Sequence, residues 1–390
     1  MRAISLFNDL LNSERTAGML LVICTAISLL LANSAIGEAY LAVWHFPMAG
    51  QNFEYWINDG LMAIFFLMVG LELEREIYIG ELSDRKQAML PLMAAFGGML
   101  VPAGIHLLLN HGTPTASGAG IPMATDIAFA IGILALLGDR VPLALKVFLT
   151  ALAVIDDLGA IFTIAIFYST GIDWAYLGGA MGILLVMFIM NRAKVMSLIP
   201  YLALGVVMWY LMLHSGVHAT VTGVLVAFAI PFGDGSRKSI SAKLQHFLHR
   251  PVSYVILPLF ALANTGIILE SDWFNHLFTL NGYGIFLGLV VGKPLGIGLF
   301  CLATVTLGIS TLPKGISWKQ ILGAAMLAGI GFTMSIFITM LAFNDLEHIV
   351  SSKTTILVSS LVAAIVGYTW LRIVLPHQPQ EKAVLVEKAA

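Results

Sequence analysis

The chain has 390 residues and a formal net charge of −2; 59% of it is hydrophobic, only 11% is charged, and its mean hydropathy is +0.92. Soluble domains carry roughly 25% charged residues, so an ordinary soluble globule is excluded, and with no block of like charge so is a nucleic-acid-binding tail.

The N-terminal stretch places Asp9 and Glu14 ahead of an apolar run at 17–32. That run is longer than a cleaved leader uses. It reads as a retained first helix preceded by a short amphipathic segment, "ISLFNDLLN". Runs long enough to span a bilayer follow along the whole chain, near 15–33, 56–79, 88–109, 118–138, 143–169, 174–192, 197–213, 216–233, 251–269, 283–307, 320–343 and 351–375. They predict an all-α polytopic membrane protein of about twelve transmembrane helices. The longest connection, "PFGDGSRKSISAKLQHFLHR", is too short to fold alone, so residues 1–390 read as one domain. The loop "HFPMAGQNFEYW", 45–56, has the makings of a β-hairpin. Cys24 and Cys301 lie in separate apolar runs and read as small apolar filler.

Of the 20 Lys and Arg residues, all but Lys293 and Lys353 fall at the N-terminus, in alternate connections, or at the C-terminal end. Basic loops stay cytoplasmic, so both termini are expected inside. Lys353 reads as the one basic residue of an opposite connection. Two runs are interrupted: the fourth, "GAGIPMATDIAFAIG", by Pro122 and a Thr-Asp pair, and the eleventh, "GAAMLAGIGFTMSIF", by Gly329 and Gly331. Interrupted helices in corresponding positions suggest an inverted repeat with a midplane site, with halves at approximately 88–169 and 283–375.

Charge inside lipid costs about 2.5–3.5 kcal/mol per residue on insertion scales. Asp59 and Glu72 are candidates for a role inside the membrane, but they equally fit residues near run ends, where charge is ordinary. Asp126, Asp156, Asp157 and Lys293 lie mid-span. Asp156 follows Lys146 by about 15 Å of helix, half the ~30 Å hydrocarbon core. Adjacent helical residues point about 100° apart, so one aspartate can face a cation cavity while the other pairs with Lys293. Asp126 and the Thr125 hydroxyl are placed to reach the same cavity, and carbonyls freed by a helix break suit a hard cation such as Na⁺. A carboxylate out of water needs a proton or a cation to offset its charge. A site able to hold either ion exchanges one for the other if only its occupied forms cross between the two faces.

Other readings fit less well. A membrane aspartyl protease needs its aspartates on different helices, one of them in Gly-x-Gly-Asp. An organic-anion carrier predicts intramembrane arginine. A channel predicts rings of charge. His214 and His218 have metal-like spacing but too few fellow ligands for zinc. "GIGFTM" follows no strand, so it is no nucleotide motif.

The segments "WINDGLMAIFFLMVGLELERE", "MATDIAFAIGILALLGDRVPLALKVFLTALAVIDDLGAI", "SGVHAT", "ILPLFALANTGI", "GKPLGI" and "GIGFTMSIFI" occur in an order that resembles the NhaA-type sodium/proton antiporters of bacteria across nearly the whole chain. The resemblance implies a twelve-helix inner-membrane fold whose fourth and eleventh helices are interrupted and cross. It also implies electrogenic export of Na⁺ or Li⁺ against inward protons, without a cofactor, in the service of sodium and pH homeostasis. By the same resemblance Asp157 is the principal ion ligand and Asp156 the neighbour paired with Lys293. Thr125 and Asp126 become the pair at the helix crossing, and Glu72, Glu76, His218 and His246 match positions linked to pH response. A homodimer through the 45–56 hairpin is also implied. Two positions depart from the family: Glu74 where lysine is expected, and Gln245 where glutamate is expected. Both bear on the pH at which activity begins.

Overall fold

The computed structural model describes residues 2–169, 171–236, 238–269 and 273–376. Of the basic residues used to orient the chain, Arg237, Lys382 and Lys388 lie outside these. Each of the twelve apolar runs contains helix. Six helices, Phe53–Tyr78, Lys86–Asn110, Leu143–Phe167, Trp174–Arg192, Leu280–Thr306 and Leu346–Val374, are long and apolar enough to cross a membrane, or up to eight if each of two bent pairs is one span. Other runs hold shorter helices. Val221–Ala229 has 9 residues, about 13 Å of rise, well short of a hydrocarbon core.

The first helix is continuous over Arg2–Ala32, so the polar lead and the apolar run form one element. The hairpin forms as expected. Pro47–Met48 and Gln51–Asn52 pair antiparallel in register Pro47↔Asn52. Ala49 and Gly50 turn the corner with φ of 51° and 86°, as a two-residue turn matched to strand twist requires. Trp56 Nε1 donates to the Met48 carbonyl at 2.8 Å, tying the hairpin to the span that follows.

The two interrupted runs are bent elements. Pro114–Met123 and Ile127–Ala135 meet at 42°, and Trp318–Ala328 and Phe332–Ala342 at 46°. The first break lies at 124–126, just after Pro122, which itself sits in the last turn of the preceding 3₁₀ segment. Lys353 departs from expectation. The last helix begins at Leu346, which carries Lys353 two turns inside it, 8% exposed, instead of leaving it in a connection.

Helix contacts are made close by glycine. A Cβ on Gly97 would collide with the Gly296 carbonyl, and one on Gly296 with that of Gly97. The span Lys86–Asn110 thus lies flush against Lys293–Thr306. Small residues supply this proximity where lipid offers no hydrophobic drive between helices.

Candidate ion-binding site

Asp156 and Asp157 sit midway along Leu143–Phe167, both buried. Lys293 reaches them from the span Leu280–Thr306. It follows a π-helical turn, Gly288–Gly292, whose Gly288 passes against Pro122 with no room for a side chain and whose Gly292 lies close to Pro102 and Ile105. Lys293 Nζ donates to Asp156 Oδ2 at 2.5 Å and to Thr125 Oγ1 at 2.9 Å. The Thr125 hydroxyl has one proton and two acceptors in reach, Asp156 Oδ2 at 2.7 Å and the Ala328 carbonyl at 2.8 Å. Asp156, Lys293 and Thr125 therefore form one connected polar group from three separate spans, with Asp156 Oδ1 left without a hydrogen-bond partner among the described residues.

Asp157 is different. Both its carboxylate oxygens are buried with no hydrogen-bond partner among the described residues. Asp156, Asp126, Glu72 and Lys293 are near enough to act on it electrostatically. A bare buried carboxylate is costly to maintain, and this one lies beside a lysine already committed to its neighbour.

Asp126 holds the two breaks together. Its Oδ1 accepts the Phe129 N–H at 2.9 Å and so caps Ile127–Ala135. Its Oδ2 accepts from Thr333 N at 3.1 Å and Thr333 Oγ1 at 2.5 Å. Its own N–H donates to the Ile330 carbonyl at 2.7 Å, and Ser335 Oγ returns a bond to the Ile121 carbonyl at 2.7 Å. Backbone groups freed by one break are thus satisfied by residues of the other, as a non-helical segment at membrane depth demands. The carbonyls of Ile121, Ala328 and Ile330 each accept a protein donor, because each break faces the other.

Glu72, Glu76, His218 and His246 do not form one cluster. Glu76, with Ser83, Asp84, Gln87 and Thr150, lines a cavity of about 360 Å³ at the Lys146 end of Leu143–Phe167. His218 Nε2 lies 3.1 Å from the Tyr168 carbonyl, at the other end of that helix, roughly 30 Å away along its axis. His246 is exposed on Ile240–Pro251, a helix that packs against Met62–Tyr78. Glu72 is half-buried, one turn before Glu76.

Several polar links escaped the sequence reading. Thr333 and Ser335 were noticeable as polar residues in an apolar run, but their partners were not. A buried chain joins His106 to Asn281 at 3.1 Å and Asn281 to Ser352 at 2.8 Å, across three spans. Its only trace is a lone histidine in "AGIHLLLN". Asn58 and Asn264 exchange amide hydrogen bonds at 3.2 and 2.7 Å.

The family described as Na⁺/H⁺ antiporter 1 matches residues 8–371. The chain is 61% identical over 375 residues to the Na⁺/H⁺ antiporter NhaA of Cytophaga hutchinsonii, covering 96% of this chain and 97% of that protein. It is 57% identical over 369 residues to the antiporter of the same name from Dechloromonas aromatica, covering 94% and 95%. Its backbone also resembles that of the sodium proton antiporter MjNhaP1 from Methanocaldococcus jannaschii, with a TM-score of 0.53 over 92% of each chain. At 15% identity that likeness is one of fold alone.

Proposed function

The chain belongs to the Na⁺/H⁺ antiporter 1 family of multi-pass membrane transporters, and we propose that its exchange of Na⁺ for H⁺ takes place at Asp157, with Asp156, Thr125, Asp126 and Lys293 around it. The observation that carries this reading is the contrast within one helix: Asp156 Oδ2 is held by both Lys293 and Thr125, leaving only its Oδ1 without a partner, while both oxygens of Asp157 are buried and bare. A proton or a Na⁺ on Asp157 offsets its charge equally well, so the two ions compete. Lys293 neutralises Asp156 and keeps it from adding a second uncompensated charge. Asp126 couples the half-helices, so a change in occupancy at Asp157 is felt at both breaks. Li⁺ fits the same carboxylate chemistry as a hard monovalent cation.

The cavity at Glu76 is the entry from the basic side. Thr150 on its wall and Asp157 are seven residues apart, two turns on one helical face. Glu72, one turn inward from Glu76, continues the acidic path. Together with His218 and His246 these carboxylates set the pH response. In this reading all twelve runs span, residues 88–169 and 283–375 form the inverted repeat, and both termini are cytoplasmic in a bacterial inner membrane. Supporting that placement, Arg140 donates to the Arg372 and Leu375 carbonyls at 2.8 and 2.7 Å, which brings the end of the last helix to the same side as Lys146. Transport is electrogenic, more protons entering than Na⁺ leaving, and the hairpin at 47–52 is the contact of a homodimer.

The test is Asp157→Asn in everted vesicles. Na⁺-driven proton movement should be lost while the purified protein keeps its thermal unfolding midpoint. Exchange at unchanged Na⁺ affinity would assign the ion to another residue.

A further inference from the structure

A second cavity, of about 400 Å³, lies away from the ion site, between the ends of Met62–Tyr78, Trp174–Arg192 and Val221–Ala229. Its volume is within the ~300–1,000 Å³ range of small-molecule sites. Glu74 forms one wall; it is 4% exposed, and its Oε2 is buried without a partner among the described residues. The other walls are the rings of Tyr78, Phe188, Phe228 and Phe232, of which Tyr78 and Phe232 stack at 4.7 Å. Arg192 stands exposed at the rim. No ion pair joins Glu74 to it among the described residues.

We propose that this cavity binds the phosphoethanolamine headgroup of a membrane phospholipid, its ammonium against Glu74 and the aromatic faces and its phosphate on Arg192. A bare carboxylate within a ring-lined pocket is the environment that attracts an alkylammonium, because ring quadrupole and carboxylate act together. A guanidinium matches phosphate in geometry and charge. The two charges lie on different walls without touching, so the fitting ligand carries opposite charges a few bonds apart. The transported ion is a poor fit, since a hard cation wants several oxygen ligands and these walls are mostly carbon. The bilayer is the source because the cavity sits at the ends of Met62–Tyr78 and Trp174–Arg192, and the ends of spans are where headgroups lie. Trp174–Arg192, which supplies Phe188, Asn191 and Arg192, is the least buried of the six spans, with only 11% of its apolar stretch buried. Asn191 Nδ2 donates to the Ala229 carbonyl at 3.0 Å and fixes this rim against the helix behind it. The assignment does not depend on where Na⁺ binds.

The experiment is native mass spectrometry of the full-length protein in detergent with added phosphatidylethanolamine or phosphatidylglycerol. The intact protein should retain phosphatidylethanolamine selectively. Glu74→Gln should weaken that retention about tenfold, the equivalent of 1.4 kcal/mol, and leave phosphatidylglycerol retention as it was. Phe232→Leu, which keeps the carboxylate and removes a ring, should weaken it in the same direction and guards against misfolding of the first variant. Equal retention of both lipids by the intact protein, or unchanged phosphatidylethanolamine retention in Glu74→Gln, overturns the site. Soluble phosphoethanolamine that displaces the lipid at equal concentration overturns the bilayer as its source.

Discussion

Asp156 and Asp157 are neighbours in sequence and opposites in chemistry. Asp156 Oδ2 receives both the Lys293 ammonium and the Thr125 hydroxyl, so its charge is spent inside the protein. Breaking such a buried pair from one side typically costs about 3–5 kcal/mol, because the remaining charge is stranded. Lys293→Ala should therefore lower the thermal unfolding midpoint by more than Lys293→Ala combined with Asp156→Asn. A scanning calorimetry or fluorescence melt of the two variants side by side decides it, and equal losses would show that the two groups do not stabilise one another. The aspartate pair and the lysine were legible as costly residues in apolar runs. Local periodicity left their division of labour open, because two side chains about 100° apart on a helix present the same pattern whichever one meets the lysine; only the resemblance to the family assigned Lys293 to Asp156.

At the scale of the element, the two broken helices are the departure from regular structure, and they are stitched to each other. Asp126 both caps its own half-helix and binds Thr333 on the other. A hydrogen bond to a charged group contributes about 1.5–3 kcal/mol. Thr333→Val keeps the shape and removes the hydroxyl donor, while the Thr333 N–H still serves Asp126. We expect a fall in stability of about that size and a slower exchange rate with Na⁺ affinity little changed, since Asp157 keeps its surroundings. Stability and maximal rate both at the parental value would mean that the N–H bond alone holds the junction. Pro122, Gly329 and Gly331 announced the interruptions in the sequence. The exact breaks, at 124–126 and 329–331, came from the need to satisfy freed backbone groups without water, a condition met only where one break faces the other.

Across the whole molecule, the proposed single site, if open to one side at a time, makes protons and Na⁺ rivals. Apparent KM for Na⁺ should then rise about tenfold for each pH unit on the acid side, 1.4 kcal/mol per step. If Asp156 and Asp157 titrate as a coupled pair the slope approaches about a hundredfold; if Lys293 holds Asp156 ionised, it stays near one proton. KM measured at several pH values and fixed ionic strength separates these cases. A flat KM with a falling maximal rate would place the protons at a separate regulatory site. The acidic cavity at Glu76 and the histidine contact at Tyr168 lie at opposite ends of Leu143–Phe167. The two features are thus separated by the length of the helix that carries the aspartates.

Composition and periodicity report what a residue's own surroundings cost it. From them alone came the lipid solvent, the helical content, the depth of Asp156, Asp157, Asp126 and Lys293, and the two interrupted runs; the ordered motifs added the family. Partners are another matter. Lys293 and Thr125 are 168 residues apart, Asp126 and Thr333 are 207 apart, and His106 and Asn281 are 175 apart. Nothing in a local pattern says which distant polar group a buried one will meet. That is decided by how closely spans approach, through contacts such as Gly97 on Gly296, and by the requirement that every freed donor and acceptor find a mate in a medium without water. Tertiary structure therefore decided which aspartate is spent and which is left bare, that Lys353 is buried in a helix, and that Glu74 looks into a cavity with aromatic walls.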